Sequence, residues 1–247
     1  AKGIKGWFAK YFLHKLRIWD LRTIHGVDSF ISNSKFISRR IFKVYGRNST
    51  VIYPPVSVKD FQVPQGTKKS DYYITSSRMT PYKRIDLIVE TFTKKFSDQK
   101  LVVIGDGPEF EKIKNKAGDN VELLGYQSFS ALKEKIGLAK AFIFAAEEDF
   151  GIAPVEAQAA GIPVIAFGKG GALETIRGLE DEMPTGVFFY EQTVDALTEA
   201  IELFESNIDK ISYEACVENA HRFTNEQFRN KFKKFVDDSF DNWQSSQ

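Results

Sequence analysis

From residue 72 onward, short apolar runs alternate along the chain with stretches in which apolar positions return every three or four residues. The runs are YYITSS, KLVVIG, VELLG, AFIFAA, PVIAF and GVFFY. They are nearly continuous and rich in β-branched and aromatic side chains, the pattern of strands covered on both faces. Between them, Ile85, Ile88, Val89, Phe92 and Phe96 share one helical face, and PEFEKIKNKAG, FSALKEKIGLA, APVEAQAAG and TVDALTEAIELFESN read likewise. This alternation predicts an α/β fold, a doubly wound parallel sheet of Rossmann-like type, with ligands expected at the carboxyl ends of the strands.

Upstream, VDSFISNSKFISRRIFKVYG predicts one further strand (SFISN) and a helix over Phe36 to Tyr45. The paired Pro54 and Pro55 in VIYPPV fix an extended link. Downstream of residue 211 the pattern is helical with a break near Phe223, after which Thr224-Asn225-Glu226-Gln227 can form a capping box. We therefore expect three parts: 1–57, the tail and link of a largely absent second domain; 58–223, the Rossmann-like domain; and 224–247, a C-terminal helix. A start at AKGIKG without Met fits a piece of a longer protein.

The chain has 247 residues and 43% hydrophobic content, enough for a real core. Its net charge of +1 is unevenly spread, because residues 1–50 hold eleven Lys and Arg against Asp20 and Asp28, leaving about −8 on the remainder. The lone Cys216 allows no internal disulfide, and no run reaches the roughly 20 apolar residues of a membrane span, so a cytoplasmic setting is expected. At the front, Trp7, Phe8, Tyr11, Phe12, Leu16 and Trp19 interleave with Lys2, Lys5, Lys10, Lys15, Arg17 and Arg22. Such an aromatic and basic amphipathic helix either lies peripherally on the inner face of an anionic membrane or packs into the missing domain. No recognition motif accompanies the charge, so nucleic acid is not expected as a partner.

Candidate chemistry lies in the loops after the strands. In RMTPYKR, Arg78 leaves a strand and Lys83 enters a helix. A guanidinium fork, an ammonium and a helix start match a diphosphate, although two solvated surface cations would look the same. IGDGPE places Gly105 and Gly107 in a turn that admits either a ligand or simply a tight connection, and GKGGALETI offers a similar glycine cluster. The segment EEDFGIAPVEAQAAG is more specific: Glu148 follows the strand, Phe150-Gly151-Ile152 makes the turn, Pro154 suits a first helical turn, and Gly161 ends the helix. Glu148 and Glu156, with seven residues between them, then flank the free N–H groups of a helix start. Carboxylates accept from vicinal hydroxyls, so the pattern could hold two sugars joined by a diphosphate; singly, Glu156 could be a helix-dipole carboxylate and Glu148 a loop acid.

At these residues the chain resembles family 4 of the retaining glycosyltransferases, the nucleotide-sugar enzymes of GT-B fold. SRMTPYKRID is similar to that family's Arg-x4-Lys phosphate loop, IGDGPE to its second glycine loop, and EDFGIAPVE to its two-glutamate signature; SFISNSKFISRRI and VIYPPV resemble the end of its N-terminal domain. The resemblance spans most of residues 25 to 235, and LRIWDLRTIHGVDSFISNS together with YGRNSTVIYPPV is similar to a mannosyltransferase-like branch. It implies that Arg78 and Lys83 hold the diphosphate, Glu148 binds donor-sugar hydroxyls, Glu156 grips the ribose, Phe150, Gly151 and Ile152 offer backbone N–H groups, and Tyr126 lies by the base. It also implies sugar transfer with retention and without a metal or other cofactor, from a nucleotide-sugar donor such as GDP-mannose to a growing polysaccharide or lipid-linked glycan.

No Asp-x-Asp pair suggests a metal-held diphosphate, and His14, His25 and His221 are scattered. The family's N-terminal domain carries the acceptor pocket and a His-containing loop, and almost all of it is missing, so this chain should bind donor without turning it over alone. A catalytically inert sugar-nucleotide-binding module would carry the same residues. An NAD-type oxidoreductase would need a third glycine that IGDGPE lacks.

Overall fold

A computed structural model describes residues 3–245; Lys2 lies outside the described residues. The chain opens with α1 (Ile4–Thr23), followed by β1 (Ile31–Ser32), α2 (Lys35–Tyr45) and β2 (Thr50–Val51), with β1 and β2 paired in parallel. After α3 (Val58–Phe61) the alternation begins: β3 (Tyr72–Ser76), α4 (Ile85–Lys95), β4 (Lys100–Ile104), α5 (Phe110–Lys114), β5 (Val121–Gly125), α6 (Phe129–Leu138), β6 (Ala141–Phe144), α7 (Ile152–Ala159), β7 (Val164–Phe167), α8 (Ala172–Thr175), β8 (Gly186–Phe189) and α9 (Val194–Glu205). Helices α10 (Tyr213–His221) and α11 (Asn225–Ser245) close the chain. All six apolar runs are strands, and they form one parallel sheet of order β5-β4-β3-β6-β7-β8.

The continuous strand hydrophobicity follows from burial on both faces. In β4, Val102 and Ile104 belong to the core shared with β6, α7 and α10, while Leu101 and Val103 belong to the opposite core with α4 and α9. Strand period two sends successive side chains to opposite faces, and each face is roofed by helices. Helix starts are set by side-chain caps: Ser34, Ser128, Thr193, Ser212 and Thr224 each accept from the N–H three residues on. Helix α5 is shorter than the periodic segment around it, because Asn115 ends it and the chain turns toward β5.

The order of the sheet positions the site. From β3 the chain winds outward through β4 to β5, then returns so that β6 pairs with the other side of β3. The β3 and β6 loops therefore diverge at their carboxyl ends, which opens a crevice at the topological switch point.

Residues 27–57 are tied to this body by the Arg40–Asp149 pair, by the Val56 N–H donating to Phe223 O at 2.8 Å, and above all by the Glu174 carboxylate. Glu174, in α8, accepts from the backbone N–H groups of Lys35 and Phe36, both at 2.8 Å, and from the Tyr53 hydroxyl at 3.1 Å. It caps α2 from outside the segment, while Tyr53 packs against Phe150 and Phe223. Burial and Glu174 together push the Tyr53 hydroxyl up to about 12.

Helix α1 forms but is not amphipathic in the expected sense. Trp7, Phe8, Phe12, Leu16 and Trp19 are all half-exposed or more and, at about 100° per residue, share one half of the helix, but Leu13 and Leu21, equally exposed, lie on the other half among the charged side chains. The Tyr45 hydroxyl at the end of α2 donates to Asp20 of α1 at 2.8 Å. No helix among the described residues is long and apolar enough to cross a membrane.

Candidate functional site

A cavity of about 590 Å³ occupies the switch point. Its walls come from the β3 loop (Ser76, Ser77, Lys83), the β6 loop and first turns of α7 (Glu147 to Ala153, Glu156), and Asn33 and Pro54 from the upstream segment. Of the residues singled out in the sequence, Lys83, Glu148, Phe150, Gly151, Ile152 and Glu156 meet here.

The Lys83 ammonium donates directly to Glu148 Oε1, and both side chains are about four-fifths buried, at 18% and 19% exposure. Burial draws the lysine below its ordinary range. The acids on either side of Glu148 turn elsewhere: Glu147 pairs with Lys169 at 2.9 Å and Asp149 with Arg40 at 3.4 Å. Three consecutive acids thus face three different cations. Among the described residues no group of three or more His, Cys, Asp or Glu side chains converges on a metal site.

Glu156 differs from Glu148. It lies in the second turn of α7, lines the cavity, and has no hydrogen-bond or ion-pair partner among the described residues. Burial alone raises its carboxyl from the ordinary 4.5 to about 7. Gly151 precedes α7 with φ +88°, which only glycine adopts cheaply, and this bend directs the open N–H groups of the first turn at the cavity. The cavity therefore presents a partnered cation, an unpartnered carboxyl and a helix start to whatever enters.

The remaining predicted residues lie elsewhere. Arg78 is exposed, lines no wall of this cavity and has no side-chain partner among the described residues. Tyr126 is 84% exposed beyond β5, the edge strand, two places from β3. His14, His25 and His221 are exposed and outside the cavity.

Gly105 and Gly107 do not face the cavity; they press on the backbone of the β3 loop. A Cβ on Gly105 would overlap the Ser77 carbonyl, and one on Gly107 would lie 2.6 Å from the Met79 oxygen. Met79 N–H donates to Asp106 O at 2.9 Å and Glu109 N–H to Met79 O at 3.1 Å. The glycine cluster after β7 has the same role for the other wall. A Cβ on Gly170 would overlap the Glu148 carbonyl, one on Gly171 would lie 2.6 Å from Asp149 O, and Gly171 N–H donates to Glu148 O at 2.7 Å. Both glycine loops are therefore backbone interlocks. Asn33, Pro54 and Tyr82 complete the cavity wall and carried no sequence signal beyond proximity to the motifs.

Comparison with known proteins agrees with this geometry. A "GDP-mannose-dependent monoacylated alpha-(1-6)-phosphatidylinositol monomannoside mannosyltransferase" of Corynebacterium glutamicum is 28% identical over 211 residues, 74% of this chain and 54% of that protein. A "Probable sucrose-phosphate synthase" of Thermosipho melanesiensis is 25% identical over 222 residues, 78% of this chain and 51% of the relative. The chain thus spans about half the length of the curated relatives it matches. Among solved structures, Anabaena Alr3699/HepE in complex with UDP and glucose superposes with a TM-score of 0.77 at 18% identity, over 93% of this chain and 68% of that one; at that identity the likeness shows the GT-B type of fold. Residues 58–223 match the sequence profile of one family, and on that match the chain belongs to the glycosyl transferases group 1.

Proposed function

We propose that this chain is the donor-binding part of a retaining glycosyltransferase, with residues 58–223 as the nucleotide-sugar domain, 1–57 as the end of an acceptor-side domain and 224–247 as a closing helix. The observation that carries the reading is the meeting of Lys83, Glu148, Glu156 and the start of α7 in one cavity at the switch point. Entry of a diphosphate competes with Glu148 for the Lys83 ammonium. The freed Glu148 carboxylate then accepts from donor-sugar hydroxyls, while Glu156 accepts from the vicinal hydroxyls of the ribose. The N–H groups of Gly151 and Ile152 meet the distal phosphate, and Arg78 swings inward from the strand exit to complete the clamp.

In the transfer step the bond from the anomeric carbon to the diphosphate oxygen breaks, and the acceptor oxygen bonds to that carbon on the same face. The acceptor's hydroxyl proton goes to the departing diphosphate oxygen. Lys83 and Arg78 hold the charge that develops, so no metal is required.

GDP-mannose is the donor we favour, supported by the mannosyltransferase-like stretches around residues 16–56 and by the Corynebacterium relative, whose name specifies it. The acceptor is a polysaccharide or lipid-linked glycan, and the protein works in the cytoplasm, with α1 resting on an anionic membrane surface through its exposed aromatics and Lys10, Lys15 and Arg17. Thermal-shift titration with GDP, UDP, ADP and their sugars tests the donor reading. Stabilisation by a nucleoside diphosphate, lost in Lys83→Ala, is expected; no shift with any of them would refute it.

A further inference from the structure

Arg84 is the only non-glycine residue with positive φ among the described residues, and it immediately follows Lys83. Its φ of 55° and ψ of 33° turn the chain out of the 3₁₀ turn Pro81–Lys83 and into α4, for which Arg84 is the N-cap residue. An L-residue other than Asn or Asp rarely holds this conformation without support from its surroundings. The support is visible. Arg84 Nη1 donates to Gln192 Oε1 at 3.1 Å, Nη2 lies 3.4 Å from Gln192 O, and Nε is 3.5 Å from Asp86 Oδ1.

Gln192 continues the chain of contacts. Its Nε2 donates to Ala145 O at 2.7 Å, one residue beyond β6 and three before Glu148. One amide therefore accepts from the loop that carries Lys83 and donates to the loop that carries Glu148. Neither Arg84 nor Gln192 lines the cavity, and both are partly buried. The glycine interlocks tie each loop to a different neighbour, so they do not join the two loops to each other.

We infer that Arg84 and Gln192 form a strut that sets the distance between the two cavity walls, holding the Lys83 ammonium against Glu148 and poised for an anion. They are positioning residues: they act through Lys83 and touch no ligand. The assignment of the anion as a diphosphate rests on the donor reading above, whereas the strut itself is testable without ligand.

The first measurement is lysine acetylation of the whole chain, read by mass spectrometry as the rate at Lys83 relative to exposed Lys94. In the parent, burial and the Glu148 pair keep Lys83 slow. Gln192→Ala and Arg84→Gly should each raise the Lys83 rate several-fold, and Arg84→Lys, which keeps a donor for Gln192, should restore most of the protection. Arg84→Gly separates positioning from stability, because glycine takes the left-handed conformation without strain: its melting temperature should equal or exceed the parent's while Lys83 becomes more reactive.

The second measurement is titration of UDP and GDP, with uridine and guanosine as controls. The strut variants should bind the preferred diphosphate about tenfold more weakly and the matching nucleoside as the parent does. An unchanged Lys83 rate in Gln192→Ala overturns the strut, whatever the nucleotide does. A faster Lys83 rate in a parent background that binds no nucleoside diphosphate leaves the strut standing and refutes the donor reading.

Discussion

The two glutamates of the 148–156 segment should respond to substitution at pH 8 with opposite signs, and Glu156 gives the sharper test. Burial lifts its carboxyl from 4.5 to about 7, so the folded state holds this proton more tightly than the unfolded state does. The associated stability is fully present below about pH 4.5 and is lost as pH rises through about 7. A displacement of about 2.5 on the pH scale corresponds to roughly 3 kcal/mol. Glu156 lines an open cavity, and solvent screening reduces that to about 1–2 kcal/mol. Glu156→Gln removes the titration while keeping the shape. At pH 8 the variant should melt about 2–8 °C above the parent, taking ~2–4 °C per kcal/mol for a chain of this size; at pH 4 the two should coincide. Glu148→Gln should do the reverse at pH 8, because it leaves the buried Lys83 ammonium without its partner. Scanning calorimetry of both variants at the two pH values decides the matter. An Glu156→Gln difference that is the same at pH 4 and pH 8, or negative at pH 8, would refute the reasoning.

Donor affinity should follow the same proton. Ribose hydroxyls favour the ionised Glu156, so nucleoside diphosphate binding measured by isothermal titration should weaken as pH falls below about 7, and in Glu156→Gln the dependence should shrink to that of the terminal phosphate's own proton, which is taken up near pH ~6. Arg78→Ala should weaken diphosphate binding about tenfold and leave nucleoside binding unchanged; parity with the parent would remove Arg78 from the site. Glu174→Ala leaves two α2 N–H groups and the Tyr53 hydroxyl without their acceptor, and should cost about 1–3 kcal/mol in urea unfolding. Gly107→Ala, at φ +156° and 2.6 Å from Met79 O, should cost more than about 2 kcal/mol and disturb the β3 loop, whereas Gly46→Ala, with open space around it, should cost about 1 kcal/mol.

The fold was legible because strand period, helix period and capping residues agreed over residues 72–211, so each apolar run could be only one thing. The meeting of Lys83, Glu148 and Glu156 followed from topology, since loops at the carboxyl ends of adjacent strands must share a crevice. What escaped notice was how glycines work at a distance. The pattern IGDGPE reads the same whether its open backbone faces a ligand or the neighbouring loop, and only coordinates show that Ser77 and Met79 occupy that space. Glu174 likewise looks like an ordinary helix acid until α2 is seen to start on it. The distribution of apolar side chains around α1 was available from the sequence: Phe8, Phe12, Leu16 and Trp19 make a stripe, and Leu13 and Leu21 on the other half blur it.

The glycine interlocks carry a consequence for redesign. Grafting residues 77–83 alone from a relative would import side chains cut for a different partner backbone, and the graft should misfold locally even where every ligand contact is right. Each wall is half of a matched pair, the β3 turn with residues 105–109 and the β6 turn with residues 168–171, so changes of specificity should be transplanted two segments at a time.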